Sequence, residues 1–289
     1  MDRRSEPQKY TLREHYFCNQ VSANPDHDLR CIWVHWDPKP RPCFNLGLIN
    51  SLRKYPSYVQ NLNKNLPTKE SGNHFLYTIC LSDVPGIFNL GGDLEKFLCW
   101  IKSEDKAALL NYGRSCIEML YSNYINYDFP MMGIALVQGL CLGGGFEAAL
   151  SFNIIVAEES SQFGFPEVLF NLFPGMGAYS FLRRRLGEKL AEDIIRSGKR
   201  YSAQEMMEIG VVNHVVKNGE GVQAVQDLIR RQERSHNSMA GLARTRRIAQ
   251  KLDFSELESI VEVWAEHALQ LTDRDLRLMQ RLARKQMNY

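Results

Sequence analysis

The chain has 289 residues, 44% of them apolar, 24% charged and 10% aromatic, which provides for a sizeable core in one large domain or two small ones and excludes a disordered or fibrous protein. With 35 basic and 33 acidic residues the formal net charge is +2, too small an imbalance for wholesale nucleic-acid binding or a polybasic membrane anchor. The 7 cysteines form an odd set with no C-x-x-C pair and no Cys/His cluster at zinc spacing, which predicts a reducing compartment and no structural metal.

The chain starts Met1-Asp-Arg-Arg-Ser-Glu-Pro-Gln-Lys9, charge with no apolar stretch behind it, so no secretory signal is expected and the protein is read as cytoplasmic. Short runs rich in Val, Ile or aromatics and bounded by turn residues predict strands at 30–36, 74–82, 131–138, 153–158 and 211–216. Helical pattern fills most of the gaps, at 46–61, 94–123, 144–151, 179–186 and 189–197. The apolar stretch 131–150 fails as a membrane span because five glycines and Glu147 interrupt it. Ser202-Ala-Gln-Glu205 reads as a capping box for a helix that stops at Gly210. From about 219 onward only amphipathic helix is expected, with start signals at Ser255-Glu-Leu-Glu258 and Thr272-Asp-Arg-Asp275. The architecture is therefore α/β with an all-helical C-terminal appendix.

Familiar site motifs are missing. The Gly198-Lys199 pair has Asp193 where a phosphate loop needs its first glycine, and Gly143-Gly-Gly145 lacks dinucleotide-loop spacing. The 7 histidines are scattered and read as structural or solvated. What remains is Val137-Gln-Gly-Leu-Cys-Leu-Gly-Gly-Gly-Phe-Glu147, a buried strand, a glycine turn and a helix start. Such a start aims unpaired N–H groups at whatever sits there, which suits a developing oxyanion, and Glu147 lies one turn on from Gly144. The same pattern also fits a glycine turn that only packs helix on strand. Phe163-Gly-Phe-Pro-Glu167 sets a second carboxylate among apolar neighbours, where burial raises its pKa and suits it to proton transfer; a satisfied buried glutamate or a loop charge fits equally. Phe88-Asn-Leu-Gly-Gly-Asp93 is a glycine loop with Asp93 as a helix cap.

Together the three pieces resemble the crotonase, or enoyl-CoA hydratase/isomerase, superfamily, over roughly residues 25 to 235. The resemblance implies a spiral of β-β-α units, oxyanion-hole amides at Gly92 and Gly144, and acid/base roles for Glu147 and Glu167. Within it, Pro40-Arg-Pro-Cys-Phe44, Asn89-Leu-Gly-Gly-Asp-Leu94, Gly143-Gly-Gly-Phe-Glu-Ala-Ala-Leu150 and the block from Pro166 to Ser180 are similar to the diffusible signal factor synthases. That likeness implies dehydration of a medium- or long-chain 3-hydroxyacyl thioester, with acyl carrier protein as the expected carrier, to a cis-2-enoyl thioester, then hydrolysis to a cis-2-unsaturated fatty-acid quorum-sensing signal. By the family pattern Glu167 removes the C2 proton and Glu147 protonates the departing hydroxyl. No cofactor or metal is implied.

Residues 1–235 are then a catalytic core with an N-terminal extension, and 236–289 a helical region covering the acyl site. The acyl site is expected to use Gly91, Gly143, Met176, Trp264, Leu278 and Leu282, although core packing also accounts for the last four. Arg183-Arg-Arg185 and the run Arg244, Arg246, Arg247, Lys251 are candidates for meeting an acidic acyl carrier protein or a phosphopantetheine arm, or are solvated faces. The resemblance further implies a homotrimer or hexamer and a regulatory sensor protein as partner. Two other functions stay open: a hydratase or isomerase acting on coenzyme A thioesters, and a non-catalytic binding member, against which the two glutamates argue. Cys141 as a thiol nucleophile is weaker, with no histidine near it in sequence.

Overall fold

The computed structural model describes residues 15–64 and 74–287; the charged start of the chain at 1–9 lies outside them. Strands β1 (His15–Cys18), β2 (Val21–Asp26) and β3 (Cys31–Trp36) form an antiparallel meander. Asn24 and Pro25 hide β2 from a pattern reading. Among the described residues β1 pairs with Val21, Ser22 and Ala23, so Pro25 lies beyond that pairing and its missing N–H breaks no bond to β1 there. The helix expected at 46–61 is two, α1 (Leu46–Leu52) and α2 (Tyr55–Lys64), the first capped by Asn45.

Three turns of one unit follow, each a strand of a large sheet, a three-residue strand of a small sheet, and a helix. The first is β4 (Tyr77–Ser82), β5 (Ile87–Asn89) and α3 (Leu94–Lys102), extended by α4 (Lys106–Tyr124). The second is β6 (Met132–Val137), β7 (Leu140–Leu142) and α5 (Gly144–Leu150). The third is β8 (Ile154–Glu158), β9 (Gln162–Gly164), a 3₁₀ turn at Pro166–Phe170 and α6 (Ala178–Leu186). The helix expected over 94–123 breaks between α3 and α4, where Glu104 takes a left-handed φ of 53° and Asp105 caps α4 by accepting the Ala108 N–H.

Next come α7 (Glu188–Ser197), β10 (Tyr201–Ser202), α8 (Ala203–Ile209), β11 (His214–Val216) and α9 (Gly221–Gln232). The capping box of Ser202 and Glu205 forms. β11 starts later than 211 because the N–H groups of Val211 and Val212 both return to the Met206 carbonyl at the end of α8. Helices α10 (His236–Ala249), α11 (Phe254–Ala268) and α12 (Asp273–Met287) complete the described chain.

The large sheet has the order β1-β2-β3-β4-β6-β8-β11, parallel from β3 onward, and the small one β10-β9-β7-β5, parallel except at β10. Every residue of β6 and β8 is buried, and the period of two splits them between two cores. Ala135, Val137, Ile155 and Ala157 join the core that includes α1, α4 and α5, whereas Ile134, Leu136, Ile154 and Val156 meet Val225, Leu228 and Ile229 of α9. Between β6 and β7 the chain turns at Gly139 (φ 128°), where a Cβ would stand 1.9 Å from the Gly86 carbonyl oxygen, so only glycine fits. The apolar stretch 131–150 is thus strand, turn, strand and helix. No helix among the described residues is long and apolar enough to cross a membrane. The β-β-α spiral and the helical C-terminal region are those the sequence leads one to expect.

Candidate active site

Each unit of the spiral delivers a backbone turn from the small sheet to the start of a helix, and two of these turns meet. In the first, the Gly91 carbonyl accepts the Phe44 N–H at 2.8 Å, and because the peptide is trans the Gly92 N–H points the opposite way. In the second, the Gly143 carbonyl accepts N–H bonds from Phe146 and Glu147 at 2.9 and 3.0 Å, which leaves the Gly144 N–H emerging from the start of α5. Among the described residues neither the Gly92 nor the Gly144 N–H has an acceptor, and both glycines line one cavity. A Cβ built on Gly144 would lie 3.5 Å from Gly91 Cα, so the two turns are in contact. Two converging donors suit a single oxygen that gains negative charge.

Asp93 caps α3 by accepting the Lys96 N–H at 3.3 Å, and both its oxygens also take one Arg41 nitrogen, at 3.0 and 3.1 Å. Arg41 pairs with Glu95 as well. The 40–44 segment therefore braces the loop that carries Gly92, through Arg41 and through the Phe44 N–H. Neither contact leaves a local signal in the sequence.

Glu147 is 1% exposed. Its Oε1 accepts the N–H groups of Met176 at 2.7 Å and Ala178 at 3.0 Å, which ties α5 to the glycine turn at 174–178. Burial pushes this carboxyl up to about 7, against the pull of those two bonds. Glu167 comes from the 3₁₀ turn after β9. A Cβ on Gly143, where φ is 53°, would stand 2.5 Å from Glu167 Oε1, so glycine there is what makes room for the carboxyl over the start of α5. Although part of Glu167 reaches the surface, its Oε2 is buried and has no hydrogen-bond partner among the described residues. Burial first, and the charge of Glu147 second, push Glu167 up to about 8. Near neutral pH the pair holds a proton between an acid and a base.

The cavity that unites these groups measures about 30 Å³, room for roughly one or two water molecules. Phe97, Phe170, Leu172, Met176 and Trp264 close it with apolar surface. Of the six expected acyl-site residues, Met176 and Trp264 lie on this lining. Gly91 and Gly143 adjoin it, shaping the turns, while Leu278 and Leu282 are outside it and pack, partly buried, on the main core. Helical spacing marks them as an apolar stripe without saying which wall that stripe meets. A separate apolar groove of about 400 Å³ runs past Phe173, Pro174, Tyr179, Ile195, Ile260 and Val263, and shares Pro174 with the cavity between the two turns.

The basic runs divide. Arg184 is held by Glu256 through two bonds of 2.8 Å and by the Gln250 and Lys251 carbonyls, and Arg185 is half-buried with its guanidinium on the Leu150 and Phe152 carbonyls. Burial draws the Arg185 pKa down to about 10. Arg184 and Arg185 therefore serve as internal bracing, while Arg183 has the freer side chain of the three and lies beside Glu188. Arg244, Arg247 and Lys251 do line one open groove with Tyr121, Tyr124 and Phe129. Cys141 is fully buried and burial pushes its thiol well up, which removes it as a nucleophile. No group of three or more His, Cys, Asp or Glu side chains that could hold a metal occurs among the described residues.

The sequence matches the enoyl-CoA hydratase/isomerase family over residues 50–285. Mevalonyl-coenzyme A hydratase SIDH of Beauveria bassiana is 45% identical over 89 residues, 31% of this chain and 32% of that protein. The mitochondrial methylglutaconyl-CoA hydratase of Homo sapiens is 33% identical over 173 residues, 60% of this chain and 48% of that protein, so the match spans about a third to a half of these relatives. Among solved structures, Pseudomonas aeruginosa DspI superposes with a TM-score of 0.67 at 22% identity, covering 87% of this chain and 93% of that one. An enoyl-CoA hydratase from Bacillus halodurans superposes with 0.73 at 17% identity, over 91% and 100%. Identities this low carry the fold alone, but the family match takes in the turn, the helix start and both carboxyls, and the chain belongs to the enoyl-CoA hydratase/isomerase, or crotonase, family.

Proposed function

We propose that the protein is an enzyme that adds water to, or removes it from, an acyl thioester at C2 and C3. The observation that carries this reading is the meeting of two N–H groups, unengaged among the described residues, with the buried Glu147 carboxyl and the partly buried Glu167, both of raised pKa, in a cavity of one or two waters. In hydration, ionised Glu147 takes a proton from water as its oxygen bonds to C3. The thioester oxygen gains charge against the Gly92 and Gly144 N–H groups, and protonated Glu167 gives its proton to C2. Dehydration runs the same steps backwards. Each N–H donor on the developing charge is worth about 3 to 4 kcal/mol. The two backbone bonds on Glu147 favour its anion, so the resting proton belongs on Glu167, the arrangement hydration needs.

A finer reading is dehydration of a 3-hydroxyacyl thioester followed by hydrolysis to a free cis-2-enoic acid, the chemistry of the diffusible signal factor synthases. It is favoured by the turn at 174–178, part of the block on which that resemblance rests, whose amides hold Glu147. We read 1–235 as the catalytic core and 236–289 as the helical region over the site, with Trp264 of α11 as its wall. The groove past Pro174 is our choice for the acyl chain, in place of Leu278 and Leu282. Coenzyme A and acyl carrier protein both remain as carriers.

The test is mass spectrometry of products from 2-enoyl and 3-hydroxyacyl thioesters of several lengths on both carriers. Glu147→Gln and Glu167→Gln, folded, should each lower turnover by about 10² to 10⁴. Near-wild-type turnover in either sinks the two-carboxyl mechanism, and a product that keeps its thioester in every case sinks the hydrolytic step.

A further inference from the structure

The loop that carries the Gly92 N–H contains three consecutive peptide groups, hence three carbonyls and three N–H groups to be satisfied. In the first peptide, the Gly91 N–H donates to Asn89 Oδ1 at 2.8 Å and the Leu90 carbonyl accepts from Gln286 Nε2 at 3.0 Å. In the third, the Asp93 N–H donates to the Tyr112 hydroxyl at 3.3 Å and the Gly92 carbonyl accepts from the same Gln286 nitrogen at 3.1 Å. The middle peptide has its carbonyl on the Phe44 N–H. Among the described residues every one of these groups has a partner except the Gly92 N–H. One side-chain amide, from the last turn of α12, thus brackets the single free donor by fixing the peptide planes on both sides of it.

Gln286 is 6% exposed, and the next residue, Met287, offers its sulfur to Arg41 at 3.5 Å, the arginine that also grips Asp93. Gly91 has a φ of 92°, so the loop is held in a conformation that other residues rarely adopt and that a free glycine pair would leave readily. From this geometry we infer that Gln286 is a positioning residue: the end of α12 latches the oxyanion loop, and the Gly92 donor is aimed only while the latch is closed. The inference rests on the proposed role of the Gly92 N–H and deepens it. Removing the amide leaves two buried carbonyls without their donor and lets the two flanking peptides rotate. The cost falls on the transition state, where the thioester oxygen carries charge, and far less on substrate binding.

The experiment compares the full-length protein with Gln286→Met, which keeps the volume and removes the donors, with Gln286→Glu, and with Leu276→Ala, which weakens the packing of α12 without touching the loop. Two readouts are taken: kinetics on the best thioester substrate, and amide hydrogen exchange of a peptide covering the loop. Gln286→Met is expected to lower kcat about 10- to 10²-fold with KM changed less than about threefold, and to speed exchange in the loop. Gln286→Glu, which donates only when protonated, should regain part of the loss as pH falls, read as the ratio of its kcat to that of wild type at the same pH, a trend that simple destabilisation does not produce. Wild-type exchange and kcat in folded Gln286→Met overturn the latch. An equal loss of kcat in Leu276→Ala overturns it too, by assigning the effect to α12 packing. If Gln286→Met does not fold, Gln286→Glu alone decides, and a flat pH response counts against the latch. Failure of the proposed function is seen separately, as wild-type turnover in Glu147→Gln or Glu167→Gln, and leaves the exchange result standing.

Discussion

Glutamine at position 147 would separate burial from hydrogen bonding as the force acting on that carboxyl. The amide oxygen of Glu147→Gln can still accept the Met176 and Ala178 N–H bonds, and the volume barely changes. In the native state the carboxyl titrates near 7, raised from 4.5, so between those pH values the folded protein binds a proton that the unfolded chain has lost. Stability conferred by the neutral form is complete below about pH 4.5 and is lost as pH rises through the folded value. Each unit is about 1.4 kcal/mol, so the loss amounts to about 3 kcal/mol at most. Glutamine cannot ionise and escapes it. Urea unfolding followed by tryptophan fluorescence, at one protein concentration because assembly also shifts apparent stability, should give the two proteins similar stability near pH 4. By about pH 8 the variant should be the more stable by about 3 kcal/mol. A difference that stays constant with pH would refute the argument, since Glu147 would then ionise alike in both states.

Other outcomes follow from the same geometry. Gly143→Ala puts a methyl group 2.5 Å from Glu167 Oε1 at a φ of 53°, and should cut turnover at least about 10²-fold while circular dichroism stays native; a fully active variant would mean that Glu167 need not sit there. Arg184→Ala should cost about 2 to 3 kcal/mol by removing the guanidinium's bonds to the Glu256 carboxylate and to the Gln250 and Lys251 carbonyls, whereas Arg183→Ala should change thermal stability little; equal effects would contradict the assignment of the run as bracing. The pH profile of kcat/KM should be a narrow bell peaking between about pH 7 and 8, because activity needs one proton on the pair, and a plateau down to pH 5 would exclude that.

The chemistry of the site was more legible than its support. The turns at Gly92 and Gly144 and the helix start before Glu147 are legible because they are local events, written in consecutive residues, whereas the roles proposed for them enter through family resemblance. Glu167 is nearly as plain, flanked by Pro166 and Val168. The small sheet is another matter: β5, β7 and β9 have three residues each, too few to display a period of two, so the spiral enters through family resemblance rather than through pattern. Contacts between distant segments, such as Arg41 on Asp93 or the Met176 amide on Glu147, leave no mark on spacing. The long helices are legible in kind but not in partner, which is why Leu278 and Trp264 read alike in sequence although both pack on the main core and, of the two, Trp264 alone lines the cavity.

All seven residues of α5 are buried, with the Gly144 N–H and Glu147 at one end and the Arg185 guanidinium on the Leu150 carbonyl at the other. A helix with no outer face has nowhere to absorb variation. Libraries that randomise 144–150 in search of new specificity will return misfolded protein and little else, since each replacement is also a change to the core. The rim of the groove at Tyr179, Ile260 and Val263, where Tyr179 and Val263 are exposed, carries no such burden. Laboratory evolution of substrate range should begin there.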